Sequence, residues 1–409
     1  MPQRVTQHMK QGTEANLSPP PVRVRAKKTA SEEAQKSFHE RFLALDGLRG
    51  VAVLLVIVAH GSQKHLLPKA FAFSGGMLGV VIFFVLSGFL ITHLLLKEQA
   101  QTGRISLANF YARRALRIWP LYFAALGAYF FVLPLIDPGN FGSIYSRPGR
   151  LGSGSYYDVL GYAFFLQNYV FAVRDMHLGL GVLWSLAVEE HFYVFWPLLL
   201  VVLRGRWLVS SLVCVAIATF GLRMLTFFGV LPENTSVWHM THTALDGLVA
   251  GCIIGCLYHS RPGLLKALSR HRSLYLLGWA LLLFLGWAEL RHMPLSPTLP
   301  AGEYYKIVLS TLAAAVIVSY LVGRADSSSL VLCSRPLIYV GKVSYGIYVL
   351  HPIVLVYMAA SAAHFGLLHG AGYFLAIALY LAMAVGVAGL SFKFFEAPIL
   401  RYKKRFARG

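Results

Sequence analysis

Charge is scarce in this sequence. Of its 409 residues only 13% are Asp, Glu, Lys or Arg, 57% are hydrophobic, and the mean hydropathy is +0.60. A soluble domain carries about 25% charged residues, so the composition excludes an ordinary soluble fold and indicates a chain that crosses a membrane many times. Acid is scarcer still: 17 Asp and Glu face 37 Lys and Arg, a formal charge of +20. That excess invites a nucleic-acid partner. However, the basic residues flank apolar stretches instead of gathering on one domain, as membrane orientation demands, and no nucleic acid is expected to bind. Cysteine is short as well. Cys214, Cys252, Cys256 and Cys333 lie in or beside apolar segments, which argues against a disulfide framework or a zinc site, and no metal is expected. Residues 1–42 lack any apolar run and so are not a signal peptide. They are polar, Pro-containing and basic, and read as a disordered cytoplasmic tail.

What is there in abundance is apolar windows of about 20 residues. Eleven can be drawn: 43–62, 76–96, 117–136, 157–173, 183–203, 207–229, 239–258, 273–290, 305–323, 338–360 and 372–395. The N-terminal tail carries eight Lys/Arg, 97–117 five, 259–272 four and 396–409 five, whereas 63–75, 230–238, 291–304 and 361–371 carry two, none, one and none. Both tails therefore belong on the cytoplasmic side, which an odd number of crossings forbids. The window 157–173 is short and contains Gln167 and Asn168, so it is read as interfacial or re-entrant. The expected architecture is an all-α polytopic membrane protein of about ten transmembrane helices, both termini cytoplasmic. A membrane domain fills 43–400 and a second basic tail 401–409. Gly247, Gly251 and Gly255, small residues every four positions, predict close approach of another helix.

Ionisable residues inside the spans are functional candidates by default, because burying charge in lipid costs free energy. The first window holds Asp46, Arg49 and His60; the stretch "WSLAVEEHFYVFWP" (184–197) holds Glu189, Glu190 and His191; Arg223, His242, Asp246, Lys342, His351 and Lys393 follow. Arg49 and His60 are eleven residues apart, so on a helix they share one stripe about 16 Å apart. Asp46 is placed to pair with Arg49. Running outside to inside, the span with Glu189 and Glu190 puts that pair at the depth of His60, with His351 a further candidate neighbour. In "ISLANFYARRALRIWP" (105–120), Arg113, Arg114 and Arg117 are spaced to share one face of a helix beginning near Ser106. They would anchor the cytoplasmic surface or grip an anion, since guanidinium forks match phosphates. Ser87-Gly88 interrupts an apolar helix, but the surroundings are not a G-x-S-x-G elbow.

Six stretches in order, "LDGLRGVAVLLVIVAH" (45–60), "GVVIFFVLSGFLIT" (79–92), "FYARRALRIWPLY" (110–122), "WSLAVEEHFYVFWP" (184–197), "VSYGIYVLHP" (343–352) and "FEAPI" (395–399), resemble the integral-membrane acyltransferase-3 family. They cover residues 43–400. His191 departs from the family, which more often has Gln there. The resemblance implies a multi-pass protein of a bacterial inner membrane that transfers an acyl group, commonly acetyl from acetyl-CoA, to a hydroxyl of a carbohydrate or similar acceptor. By motif match, Arg49 and His60 are the family's functional pair of the first span. Arg113, Arg114 and Arg117 fall in its Arg-rich motif and Ser87 in its Ser-Gly motif. Some members carry an extra extracytoplasmic hydrolase-like domain, for which no sequence is expected here beyond Gly409.

The expected mechanism follows from both readings. Arg113, Arg114 and Arg117, with Ser87 nearby, hold the acyl-CoA. Arg49 lies on the donor's path or fixes the donor carbonyl. His60 is the general base, or else carries the acyl group covalently. Glu189 or Glu190 orients the imidazole, and His191 is peripheral. The competing reading is a transporter or proton-coupled exporter, which the polar inventory would fit; no inverted repeat supports it.

Overall fold

The computed structural model describes residues 22–71, 73, 75–137, 156–173, 180–203, 206–228, 230, 239–291, 302–324 and 331–406. The chain is all-helical in these residues: α1 (Val22–Gln63), α2 (Gly76–Thr102), α3 (Leu107–Gly127), α4 (Leu133–Ile136), α5 (Tyr156–Ala163), α6 (Gln167–Val173), α7 (Trp184–Val202), α8 (Arg206–Phe227), α9 (Asp246–Ser260), α10 (Pro262–Leu268), α11 (Arg272–Leu290), α12 (Gly302–Gly323), α13 (Arg335–Lys342), α14 (Ser344–His364), α15 (Gly372–Ser391) and α16 (Ala397–Arg401). A closing 3₁₀ turn, Tyr402–Phe406, follows. Among the described residues nine helices are long and apolar enough to cross a membrane, or ten if α9 and α10, bent by 113° at Arg261, form one broken span. The chain is thus a multi-pass integral membrane protein, and each of the ten expected windows holds a helix.

The window 157–173 is not one of them. It breaks into α5 and α6 around Phe165, whose φ of 57° is left-handed, a conformation that ends a helix. Its polar residues are buried and bonded: Gln167 Nε2 donates to the Leu183 carbonyl (2.8 Å) and Asn168 Nδ2 to Thr241 Oγ1 (3.0 Å). Residues 1–21 of the expected tail lie outside the described residues. The apolar part of α1 begins at Leu43.

α1 and α2 form the centre, α2 being the most enclosed of the spans. α2 crosses α9, α1 crosses α13 and α14, and α11 and α12 pack on the outer side. The small residues explain why backbones come so close. A Cβ on Gly251 would meet the Val85 carbonyl, and one on Gly88 the Leu248 carbonyl; on Gly247 it would meet Phe84 Cβ at 2.8 Å and on Gly255 Thr92 Cβ at 2.7 Å. The three-glycine spacing therefore does what it predicted, with Gly88 as its counterpart on α2. Large apolar side chains such as Leu277, Leu283, Val202 and Trp207 remain exposed on the outer helices, a surface that suits lipid and not water. Arg223 of α8 pairs with Asp246 at the start of α9, and Lys306 with Glu289 (2.6 Å). These intramembrane charges thus serve helix pairing.

Candidate active site

An open cleft of about 700 Å³ lies between α1, α2, α3, α7 and α14. Three guanidiniums line it. Arg49 comes from α1, and Arg114 and Arg117 come from successive positions on one face of α3. They reach the cleft because α3 starts at the N-cap Ser106, as the sequence predicted, and runs without a break past Arg117. The Arg49–Asp46 pair forms, at a loose 3.7 Å. Arg114 lies over the Tyr193 ring (5.1 Å to the centroid) and the Phe110 ring (5.8 Å), contacts that attract a cation without neutralising it. Among the described residues neither Arg114 nor Arg117 is ion-paired.

The acidic side of the cleft is Glu189 alone. Ser87 Oγ–H donates to Glu189 Oε1 (2.7 Å) and the Tyr193 hydroxyl donates to Oε2 (2.8 Å). Both carboxylate oxygens are thereby occupied, and Ser87 and Tyr193 are fixed at the wall. Glu190, one residue and about 100° further round α7, points elsewhere. Its Oε2 accepts from Trp119 Nε1 (3.3 Å), and it does not line the cleft. His191 Nδ1 meets Thr241 Oγ1 (2.6 Å), also away from the cleft.

Arg113 leaves the cleft too. Its Nη2 donates to Glu98 Oε2 (2.9 Å) and its Nη1 to the Phe406 carbonyl (2.8 Å). Glu98 Oε1 meanwhile accepts from the Ser106 backbone N–H (3.0 Å), so one carboxylate caps the start of α3 and holds Arg113. Sharing a face with Arg117 by spacing does not survive a stronger local partner.

His60 forms a second centre. Its ring lies against that of His351, centroids 5.1 Å apart, and no hydrogen bond joins it to either glutamate. Glu189 lies instead beside Ser87 and Tyr193, in the cleft that Arg49 lines, eleven residues before His60 on α1. His351 is fully buried, and its Nδ1 lies 3.1 and 2.9 Å from the Ile347 and Tyr348 carbonyls. Carbonyls only accept, so Nδ1 carries the proton and Nε2 presents a lone pair. That Nε2 is buried without a hydrogen-bond partner.

Tyr348 connects the two centres. It lines the cleft, its ring is 6.0 Å from that of His351, and its hydroxyl donates to the Val182 carbonyl and sits 2.6 Å from Ser185 Oγ. Tyr193 and Tyr348 were not singled out from sequence. Buried tyrosines in apolar helices read as packing, and only their hydroxyl partners, Glu189 for Tyr193 and the Val182 carbonyl for Tyr348, reveal otherwise.

An all-helical membrane bundle is what the six sequence stretches led one to expect. The chain belongs to the acyltransferase domain family, which matches residues 42–393. Its relatives include the Staphylococcus aureus (strain COL) protein named "Putative O-acetyltransferase SACOL0978", 29% identical over 373 residues, covering 87% of this chain and 56% of that protein. The O-acetyltransferase OatA of Staphylococcus aureus (strain NCTC 8325 / PS 47) is also 29% identical, over 377 residues, covering 89% of this chain and 58% of its own length. The chain therefore spans under two thirds of the length of these relatives. No solved structure matches it.

Proposed function

We propose that this protein is a membrane O-acyltransferase of a bacterial inner membrane, both termini cytoplasmic, that moves an acetyl group from cytoplasmic acetyl-CoA to a hydroxyl of a carbohydrate acceptor. The observation that carries the reading is the pair of guanidiniums, Arg114 and Arg117, which line the cleft and make no salt-bridge contact among the described residues. Cations drawn out of water and left unpaired are costly, and a donor bearing several phosphates supplies what they lack. Arg49 and Glu189 complete the lining: Glu189 offsets one of the three positive charges and fixes Ser87 and Tyr193, leaving room for an anion.

The donor is gripped by its phosphates at Arg114 and Arg117. Its flexible arm runs past Arg49 along α1, and the thioester comes to His60. The acceptor oxygen attacks the thioester carbonyl carbon while His60 takes the hydroxyl proton. The C–S bond breaks, the ester leaves with the acceptor, and the imidazolium returns the proton to the CoA thiolate. His351, its proton held by the Ile347 and Tyr348 carbonyls, offers its Nε2 lone pair beside His60 and steadies the imidazolium as it forms.

Purified protein in nanodiscs, given acetyl-CoA and an oligosaccharide acceptor, is expected to release free thiol and form a base-labile ester, and the His60→Ala variant to do neither. Transport of the acceptor across liposomes without ester formation would overturn the reading in favour of an exporter. Incubation with labelled acetyl-CoA and no acceptor distinguishes direct transfer from an acyl-histidine route: direct transfer leaves the protein unlabelled.

A further inference from the structure

The wall of the cleft changes character along its length. Ser87, Phe84, Phe83 and Val80 all line it from α2. The last three lie three, four and seven residues before Ser87, which puts the four on one stripe of the helix. The Ser87 end is polar: Ser87 and Tyr193 both donate to Glu189, and Arg114 lies over the Tyr193 ring. One turn on, Phe83 and Phe84 replace the polar groups, and Leu186 joins them from α7, one turn before Glu189. The packing of α2 on α1 gives the direction. A Cβ on Gly79 would meet the Ala52 carbonyl, and one on Gly76 would meet Ala59 Cβ at 3.2 Å. The two helices therefore run antiparallel, and the step along α2 from Ser87 to Val80 is a step along α1 from Arg49 towards His60. The apolar turn is the His60 side of the cleft.

Within that turn Phe83 stands apart. Val80, Phe84 and Leu186 are buried, and Phe84 is packed edge-on against the Trp184 ring (6.1 Å). Phe83 is only half-buried, and its ring meets that of Tyr348 edge-on, centroids 6.3 Å apart. Both rings line the cleft, one from α2 and one from α14. Tyr348 is braced: its hydroxyl donates to the Val182 carbonyl (2.6 Å) and sits 2.6 Å from Ser185 Oγ. Its ring also neighbours that of His351, so this aromatic pair stands between the guanidiniums and the histidine pair. We propose that Phe83, held against Tyr348, is the residue that selects the acyl group: the pair forms a neck that a slender acyl group passes on its way to His60 and a branched one does not. This rests on the acyl-CoA reading above. The division of the wall suits such a donor, whose phosphates belong with the guanidiniums and whose acyl end is apolar. A packed aromatic wall discriminates by shape because close-packed side chains yield little.

The experiment measures thiol release in nanodiscs, with an oligosaccharide acceptor, from acetyl-CoA, n-butyryl-CoA and isobutyryl-CoA. The last two are isomers, so they differ in girth and not in the number of carbons. The wild type is expected to favour acetyl-CoA, and to favour n-butyryl-CoA over isobutyryl-CoA about tenfold, the size of effect that one methyl group makes in an apolar site. Phe83→Ala should raise kcat/KM for isobutyryl-CoA relative to n-butyryl-CoA about tenfold, and Phe83→Leu should go part of the way. Tyr348→Phe keeps the ring and removes both hydroxyl contacts, and should move the ratio in the same direction by less. A wild type that uses the two isomers equally overturns the proposal. So does a ratio unchanged in Phe83→Ala, or in Phe83→Leu should the alanine variant not fold. A gain shared equally by both isomers would mark a stop on length and overturn the neck as well. A wild type that releases thiol from none of the three donors would instead bring down the acyl-CoA reading itself.

Discussion

The guanidinium cleft and the histidine pair share α1, with Arg49 at one and His60 at the other, and they differ in what they leave unsatisfied. In the cleft it is positive charge: among the described residues that line it are three guanidiniums, of which Arg49 is loosely paired with Asp46, and one carboxylate, Glu189, whose oxygens already accept two hydroxyl hydrogens. At the histidine pair no ion pair forms among the described residues, and one ring nitrogen of each histidine is buried without a hydrogen-bond partner. In the function we propose, one region holds an anion and the other moves a proton. Keeping them apart has a physical advantage. A carboxylate or guanidinium beside His60 would bias its protonation permanently, whereas a base must exchange its proton within each turnover. The price is a donor long enough to reach from one region to the other, which a phosphate-bearing cofactor on a flexible arm provides.

Substitutions break this comparison in order of expected effect. His60→Ala is expected to lower kcat by about 10²–10⁴-fold, the span of general base catalysis, measured as thiol release. Gly88→Val would drive a side chain into the Leu248 carbonyl and pry α2 from α9. It should destabilise the protein by more than about 3 kcal/mol and take Ser87 out of the cleft wall, seen as a lowered thermal midpoint with loss of donor binding. Arg114→Ala should weaken acyl-CoA binding by about 10–100-fold with a much smaller change in kcat, read from donor titrations. Glu189→Gln sets an NH2 against one of the two hydroxyl donors, Ser87 or Tyr193. It should cost about 1–2 kcal/mol of stability, checked by thermal unfolding in detergent.

Much of this arrangement was legible before any coordinates. Ten apolar windows have ten helical counterparts because lipid imposes length and hydropathy on every span. The rejected window 157–173 betrayed itself through Gln167 and Asn168, which need partners that a lipid-facing helix lacks. Of the residues proposed for the site, Arg49, Ser87, Arg114, Arg117 and Glu189 do meet in one cleft. The misplacements share one cause: periodicity and depth locate a residue along a helix but not round the bundle. Arg113 was grouped with Arg117 because nothing in the spacing shows that Glu98, fifteen residues earlier, waits beside it. The glutamates were assigned to His60 by level, whereas Glu189 lies with Ser87 and Tyr193 in the cleft that Arg49 lines, and His60 lies against His351. Tyr193 and Tyr348 were missed because a tyrosine in an apolar helix looks like any other packed aromatic until its hydroxyl finds a partner.

The central claim is that anion recognition and proton transfer occupy separate places on α1. Equilibrium binding of acetyl-CoA to the wild type and to His60→Ala, in the same nanodiscs used for turnover, tests it most directly. The account predicts equal dissociation constants with transfer abolished in the variant. A variant that loses donor binding along with activity would show a single merged site and contradict it.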